Sequence, residues 1–229
     1  MRSEPEARAA AGVRGPAEVV VISRFGRPVP LALALAVCAF VPVLTAAVSV
    51  VQIPLGALPE DSQRLAAVPV TFFLHALAGV LFGVLGPVQF VRALRLRFGA
   101  LHVLAGRIFV LAGAGLALSG LGLLLQVQST ASGLLDVARA TFGAALWVAL
   151  LRGLLAARQR DLRAHRAWMI RAYALGMGSG TAALFLFPAY LIGGDAVLGL
   201  AADMVVVTAW LLNIGLAEWV VRRALPGHA

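Results

Sequence analysis

The chain has no lysine at all: its 19 basic residues are all arginine, against ten acidic residues, and charged residues make up only 13% of the sequence. Soluble domains carry roughly 25% charged residues, so this chain has too little charge to coat a soluble globule. A lone cysteine, Cys38, rules out an intrachain disulfide and gives a thiolate metal site no cysteine partner. A buried thiol of this kind behaves as a small hydrophobe. The Walker phosphate loop, the zincin His-Glu pattern and the Gly-x-Ser-x-Gly elbow are all missing. Enzymatic activity is therefore left uncertain, and a non-enzymatic membrane protein is favoured. Asp161 and His165 are four apart, on one helical face, but no third carboxylate is near enough to complete a metal site. The alternating ten-residue strands of an outer-membrane barrel do not occur. Aromatics do not interleave with the arginines, so no nucleic acid partner is expected despite the high isoelectric point.

Apolar length is what the chain has. The hydrophobic fraction is 61% and mean hydropathy is +0.94. A helix crosses the hydrocarbon core with about 20 mostly apolar residues. Six such segments are present, at about 30–51, 68–91, 103–126, 134–156, 168–192 and 197–221. The expected fold is all-α, a polytopic bundle of about six transmembrane helices. Residues 1–29 read as a mobile basic N-terminal segment. Residues 30–51 read as an uncleaved first anchor, bent at Pro42, because the apolar run exceeds a signal-peptide core. Residues 68–221 form a five-span core domain and residues 222–229 a short tail. Residues 52–66 form the longest loop of the opposite side.

Arginine placement orients these spans. Arg2, Arg8, Arg14, Arg24 and Arg27 precede the first span; Arg92, Arg95, Arg97 and Arg107 follow the second. Arg152, Arg158, Arg160, Arg163, Arg166 and Arg171 join the fourth to the fifth, and Arg222 and Arg223 follow the sixth. The other side keeps Arg64 and Arg139. Positive residues in short loops stay cytoplasmic, so both termini are expected in the cytoplasm and the protein in a bacterial inner membrane. Each arginine near an anionic leaflet contributes about 1 kcal/mol, making anionic lipid head groups the expected partner of that face.

Ionisable residues at membrane depth are costly and tend to face the bundle interior. An outer layer comprises His75, Arg139 and Asp203, each about 9–12 Å below the arginine-poor face at 1.5 Å per residue. It reads either as a lock among three helices or as a ligand-binding or proton-accepting pocket. An inner layer comprises Gln89, His102, Arg107, Arg152, His165, Arg166, Arg171, Asn213 and Glu218. Gly86-Pro87 is expected to open the second helix just before Gln89, freeing carbonyls for a neighbouring donor. Snorkelling arginines and interfacial histidines are one account of this layer. The other is a pocket for an anionic or quinone-like ligand, or for haem b. In the haem form, His102 and His165 take the axial positions and Arg107 and Arg171 meet the propionates, with Gln89 close by. That iron is the one metal the sequence accommodates.

Two further patterns bear on arrangement. Leu101-His102 with Arg107, and Ala164-His165 with Arg171, suggest a parallel repeat that sets the two histidines at equal depth, facing each other. Gly113, Gly115, Ser119, Gly120 and Gly122 in the third span, and Gly176, Gly178, Ser179 and Gly180 in the fifth, allow close helix approach and place these spans centrally.

One ordered set of motifs spans roughly residues 70–221. It comprises Leu74-His75, Gly86-Pro87-Val88-Gln89-Phe90, Leu101-His102 with Gly106-Arg107, His165-Arg166-Ala167-Trp168-Met169-Ile170-Arg171, and Asn213 with Glu218. This resembles a family of bacterial polytopic membrane proteins, domain of unknown function 2306. The family pattern often places a tyrosine two residues after the Gly-Arg step, where this chain has Phe109. The resemblance implies a multi-span membrane domain and no catalytic assignment. Three functions stay open: a haem-associated or ligand-binding membrane protein using His102 and His165, a carrier or sensor using His75, Arg139 and Asp203 with Asn213 and Glu218 deeper, and a structural accessory subunit.

Overall fold

The computed structural model describes residues 28–194 and 199–224, and within them the side chains of residues 28–32, 34, 61 and 224 are left aside. The N-terminal segment with its five arginines, expected over residues 1–29, lies almost wholly outside the described residues, as does the end of the tail. Among the described residues the chain is helical and without strands. Helices α1 (Pro28–Leu55), α2 (Pro69–Gln89), α3 (Arg92–Arg97), α4 (Gly99–Gln126), α5 (Gly133–Arg158), α6 (Leu162–Gly176), α7 (Gly178–Gly193) and α8 (Leu200–Ala224) follow in order, with a short 3-10 helix, Glu60–Ala67, in the first connection. Six spans are long and apolar enough to cross a membrane, α6 and α7 together making the fifth.

The spans form a ring. α1 packs on α2, α2 on α4, α4 on α5, and α5 on α6 and α8; α8 also meets α6 and α7, and α7 returns to α1. Small residues set the distances. Gly113 and Gly176 sit where an added Cβ would press into the Phe82 ring, and at Gly86 it would overlap Tyr173. Phe82 stacks on Phe109 at 4.5 Å and on Tyr173 at 5.8 Å between ring centroids, tying α2, α4 and α6 together at mid-depth. With lipid outside as apolar as leucine, such van der Waals contact and interhelical hydrogen bonds hold the bundle.

Several sequence expectations shift in position. α2 does not open at Gly86-Pro87: Pro87 lies in its final turn, and Phe90 N–H closes on Pro87 O at 3.2 Å. The close approach of Tyr173 explains the glycine instead. α4 and α6 start earlier than the apolar runs, which brings His102 and His165 inside their helices. The helix carrying Arg222 and Arg223 runs on to Ala224, so these two arginines belong to the last span's final turns.

Candidate functional site

The fifth span is interrupted at Met177, between glycines 176 and 178, and α8 stitches the interruption. Trp210 donates its indole N–H to Leu175 O (2.8 Å), and Asn213, one turn on, donates Nδ2 to Ala174 O (3.3 Å). The Thr181 hydroxyl donates to Asn213 Oδ1 at 3.1 Å, binding the other half of the span to the same residue. A broken helix at membrane depth is tolerated where neighbours satisfy its freed backbone groups, and it marks cavities.

A cavity of about 490 Å³ lies beside this break, in the centre of the ring. Phe82, Met177 and Trp210 line its inner end, and Arg64 and Ser129 its rim at the arginine-poor face. His75 and Arg139 project into it from α2 and α5. His75 Nδ1 meets the Ser119 hydroxyl of α4 at 3.1 Å. That hydroxyl also donates back to its own helix, with Gly115 O at 2.5 Å and Leu116 O at 3.3 Å, so the imidazole rests against an oxygen that α4 holds in place. Gly120 makes room for the imidazole: a Cβ there would stand 3.3 Å from His75 Cε1.

The outer layer therefore comes together in part. Arg139 pairs with Asp136, three residues earlier, at 3.3 Å, and Ser129 donates to the same carboxylate at 2.7 Å. Asp203 is buried and accepts the Ser132 backbone N–H at 2.6 Å, fastening the α4–α5 loop to α8 rather than joining Arg139. Arg64 reaches across to Gln128 O at 3.2 Å, so this loop is strapped on both sides of the rim. Sequence reasoning gave Ser119 only a packing role and Arg64 only a topological one, and it passed over Asp136, Ser129 and Trp210. Of these only Asp136 had a local signal, its three-residue spacing from Arg139.

The inner layer divides. Arg171 and Glu218 form a bidentate ion pair (Nε–Oε1 2.6 Å, Nη2–Oε2 2.9 Å), and the Arg171 guanidinium lies 4.8 Å from the Trp168 ring centroid, with Arg152 at 5.0 Å. Asn213 serves the helix break. Arg107 is exposed on the outside of α4. Gln89 Nε2 and Tyr173 Oη are buried and have no hydrogen-bond partner among the described residues. His102 and His165 are each the fourth residue of their helix, with N–H groups bonded to Phe98 O and Asp161 O at 2.9 Å, and they lie within electrostatic reach of each other. His165 Nδ1 is already engaged with Gly153 O at 2.8 Å. The two histidines thus share a level, but the arginines assigned to propionates do not converge on them. Beside them α3 presents Arg95, which burial and the neighbouring Arg166 and Arg92 guanidiniums hold below its ordinary pKa.

Comparison with known families decides the affiliation. Residues 72–221 match the model of the family described as predicted membrane protein, DUF2306. The chain belongs to that family. The matched stretch covers α2 through α8 and so contains His75, Ser119, Arg139 and the broken fifth span, while α1 and Arg64 precede it. No curated protein and no solved structure matches the chain. DUF2306 membership establishes a membrane protein; its biochemistry must be argued from the site.

Proposed function

We propose that this protein binds a small molecule inside its helix ring, in the cavity beside the break at Met177, as the receptor element of a carrier or sensor. The single observation behind this reading is that His75, Arg139 and Arg64 line one cavity of about 490 Å³ whose inner end is aromatic and aliphatic. Ligand sites are mostly apolar clefts of roughly 300–1,000 Å³ with a few convergent polar groups, and this cavity has that composition. Imidazole and guanidinium groups present donors, so the ligand's polar end is an acceptor or an anion. Asp203 supports the site through the loop it fastens. On this reading the arginine-poor rim faces outward from a bacterial cytoplasmic membrane, and the arginine-rich face, with Arg92, Arg95 and Arg166, rests on anionic head groups. A reporter fused at Ala229 is expected to be cytoplasmic.

Native mass spectrometry of the purified protein tests the binding reading. Gly79 lines the cavity, and a Cβ there meets its neighbours at an ordinary 3.8 Å, so Gly79→Leu fills space without a clash at Cβ. Wild type is expected to retain a small molecule at near-unit stoichiometry, and Gly79→Leu to lose it. Equal retention by both, or none by wild type from its own membrane, contradicts the reading.

A further inference from the structure

We infer that the ligand of this cavity is a single-chain anionic amphiphile which arrives sideways from the bilayer, its head group between His75 and Arg139 and its chain lying in the crevice between α1, α7 and α8. The inference rests on the binding reading above and adds the ligand class and its route.

A second, apolar space of about 360 Å³ opens on the lipid side of the ring, lined by Val41, Ala182, Leu186, Phe187, Tyr190 and Val206 among others. Thr45 and Ser179 line both this crevice and the central cavity. Two short side chains thus form the shared wall between a lipid-facing groove and a chamber holding the imidazole and guanidinium groups. The wall stands where the ring closes, at the contact of α1 with α7. It is thin for covalent reasons. Gly180 has no Cβ and lies against Pro42, whose ring an added Cβ would approach at 2.9 Å.

Among the described residues nothing polar bolts this seam. Thr45 spends its hydroxyl on its own helix (Val41 O 3.2 Å, Pro42 O 3.1 Å), and Thr181 bonds to α8 rather than α1. Among the described residues no side-chain hydrogen bond joins α1 to α7, so the seam opens at the expense of van der Waals contact alone. The aqueous rim is the opposite case, with the α4–α5 loop tied by Arg64 to Gln128 O and by Asp203 to Ser132 N–H. Phe187 and Tyr190, about half exposed, line the groove just outside the wall and offer a bed for a hydrocarbon chain. A ligand with both an acidic head and an apolar chain matches the two spaces together. A compact hydrophilic ion matches only the inner one.

Trp210 reports from the cavity, so quenching by bromine-labelled probes reads occupancy directly. The experiment follows the Trp210-dependent signal, defined against Trp210→Phe, with dibromostearate, its methyl ester, and bromopropionate as a short anion. Dibromostearate is expected to quench saturably, the methyl ester at least tenfold more weakly, and Arg139→Gln to lose about tenfold in affinity, the factor that 1.4 kcal/mol represents. Val41→Trp and, separately, Ala183→Leu fill the groove at residues that do not line the central cavity, and these two wall variants are expected to weaken dibromostearate while leaving bromopropionate unchanged. If both wall variants bind dibromostearate as wild type does, or if bromopropionate binds as tightly as dibromostearate, the inference falls while the cavity reading stands. If dibromostearate leaves Trp210 unquenched, the inference falls too, and the native mass spectrum alone decides whether the cavity holds some other ligand.

Discussion

Trp210 of α8 and Leu175 of α6 are joined by an indole N–H to carbonyl hydrogen bond of 2.8 Å, two residues before the fifth span breaks. The bond ties α8 to a carbonyl in the last turn of α6, where the interruption at Met177 ends the regular ladder, and the same ring lines the cavity. Trp210→Phe keeps the packing and deletes the donor. It is expected to destabilise the protein by about 1 kcal/mol, read by steric trapping or detergent-unfolding equilibrium. Gly178→Ala is expected to be worse, by about 1–3 kcal/mol, because its Cβ would overlap the Trp210 ring. Unchanged stability in both would mean that α8 does not stitch the break.

The Arg171–Glu218 pair couples α6 to α8 with two of the three guanidinium nitrogens engaged. Glu218→Gln alone is expected to cost about 1–3 kcal/mol, because a hydrogen bond to a charged group is lost and a cation is left half-buried. Combining it with Arg171→Gln is expected to cost less than the two losses added, with a coupling of about 1 kcal/mol in a double-mutant cycle. Strict additivity would show that the two residues act independently.

Ser119 positions His75 rather than stabilising the fold. Ser119→Ala is expected to change unfolding free energy by less than about 1 kcal/mol, since its hydroxyl already bonds within its own helix. Ligand retention is nonetheless expected to fall, because the imidazole loses its contact at 3.1 Å. Gly120→Ala, which crowds His75 Cε1, is expected to act in the same direction. Retention at the wild-type level in both would remove His75 from the binding account.

Haem is the competing tenant for the inner layer, and the spectrum is expected to show none. Arg171 is committed to Glu218 and Arg107 is exposed, so neither arginine assigned to a propionate stands ready for one. Protein purified from haem-supplemented cells is expected to lack a Soret band. A band abolished by His102→Ala would overturn that assignment of the two histidines.

Six apolar runs made the spans legible, because the length of a helix across hydrocarbon is set by the bilayer and not by partners. α3 escaped notice: six residues with three arginines fall below any length test, and its packing on α4 and α2 defines it. The break at Met177 was hidden by an unbroken apolar run, although glycines at 176, 178 and 180 were its local signature. Arg139 and Asp203 invited pairing by depth alone. Which carboxylate an arginine reaches depends on helix rotation and loop closure, and here the near neighbour Asp136 takes it while a loop amide takes Asp203. The cavity itself is a property of the ring, visible only once α1 and α7 have met.

The most direct measurement is a crystal structure of the wild-type protein grown in a lipidic mesophase without added ligand. The account predicts elongated density in the central cavity, one end within hydrogen-bond distance of His75 or Arg139 and the other passing between Thr45 and Ser179 toward the bilayer. A cavity filled by collapsed side chains, or holding only ordered water with the α1–α7 seam closed, would contradict it.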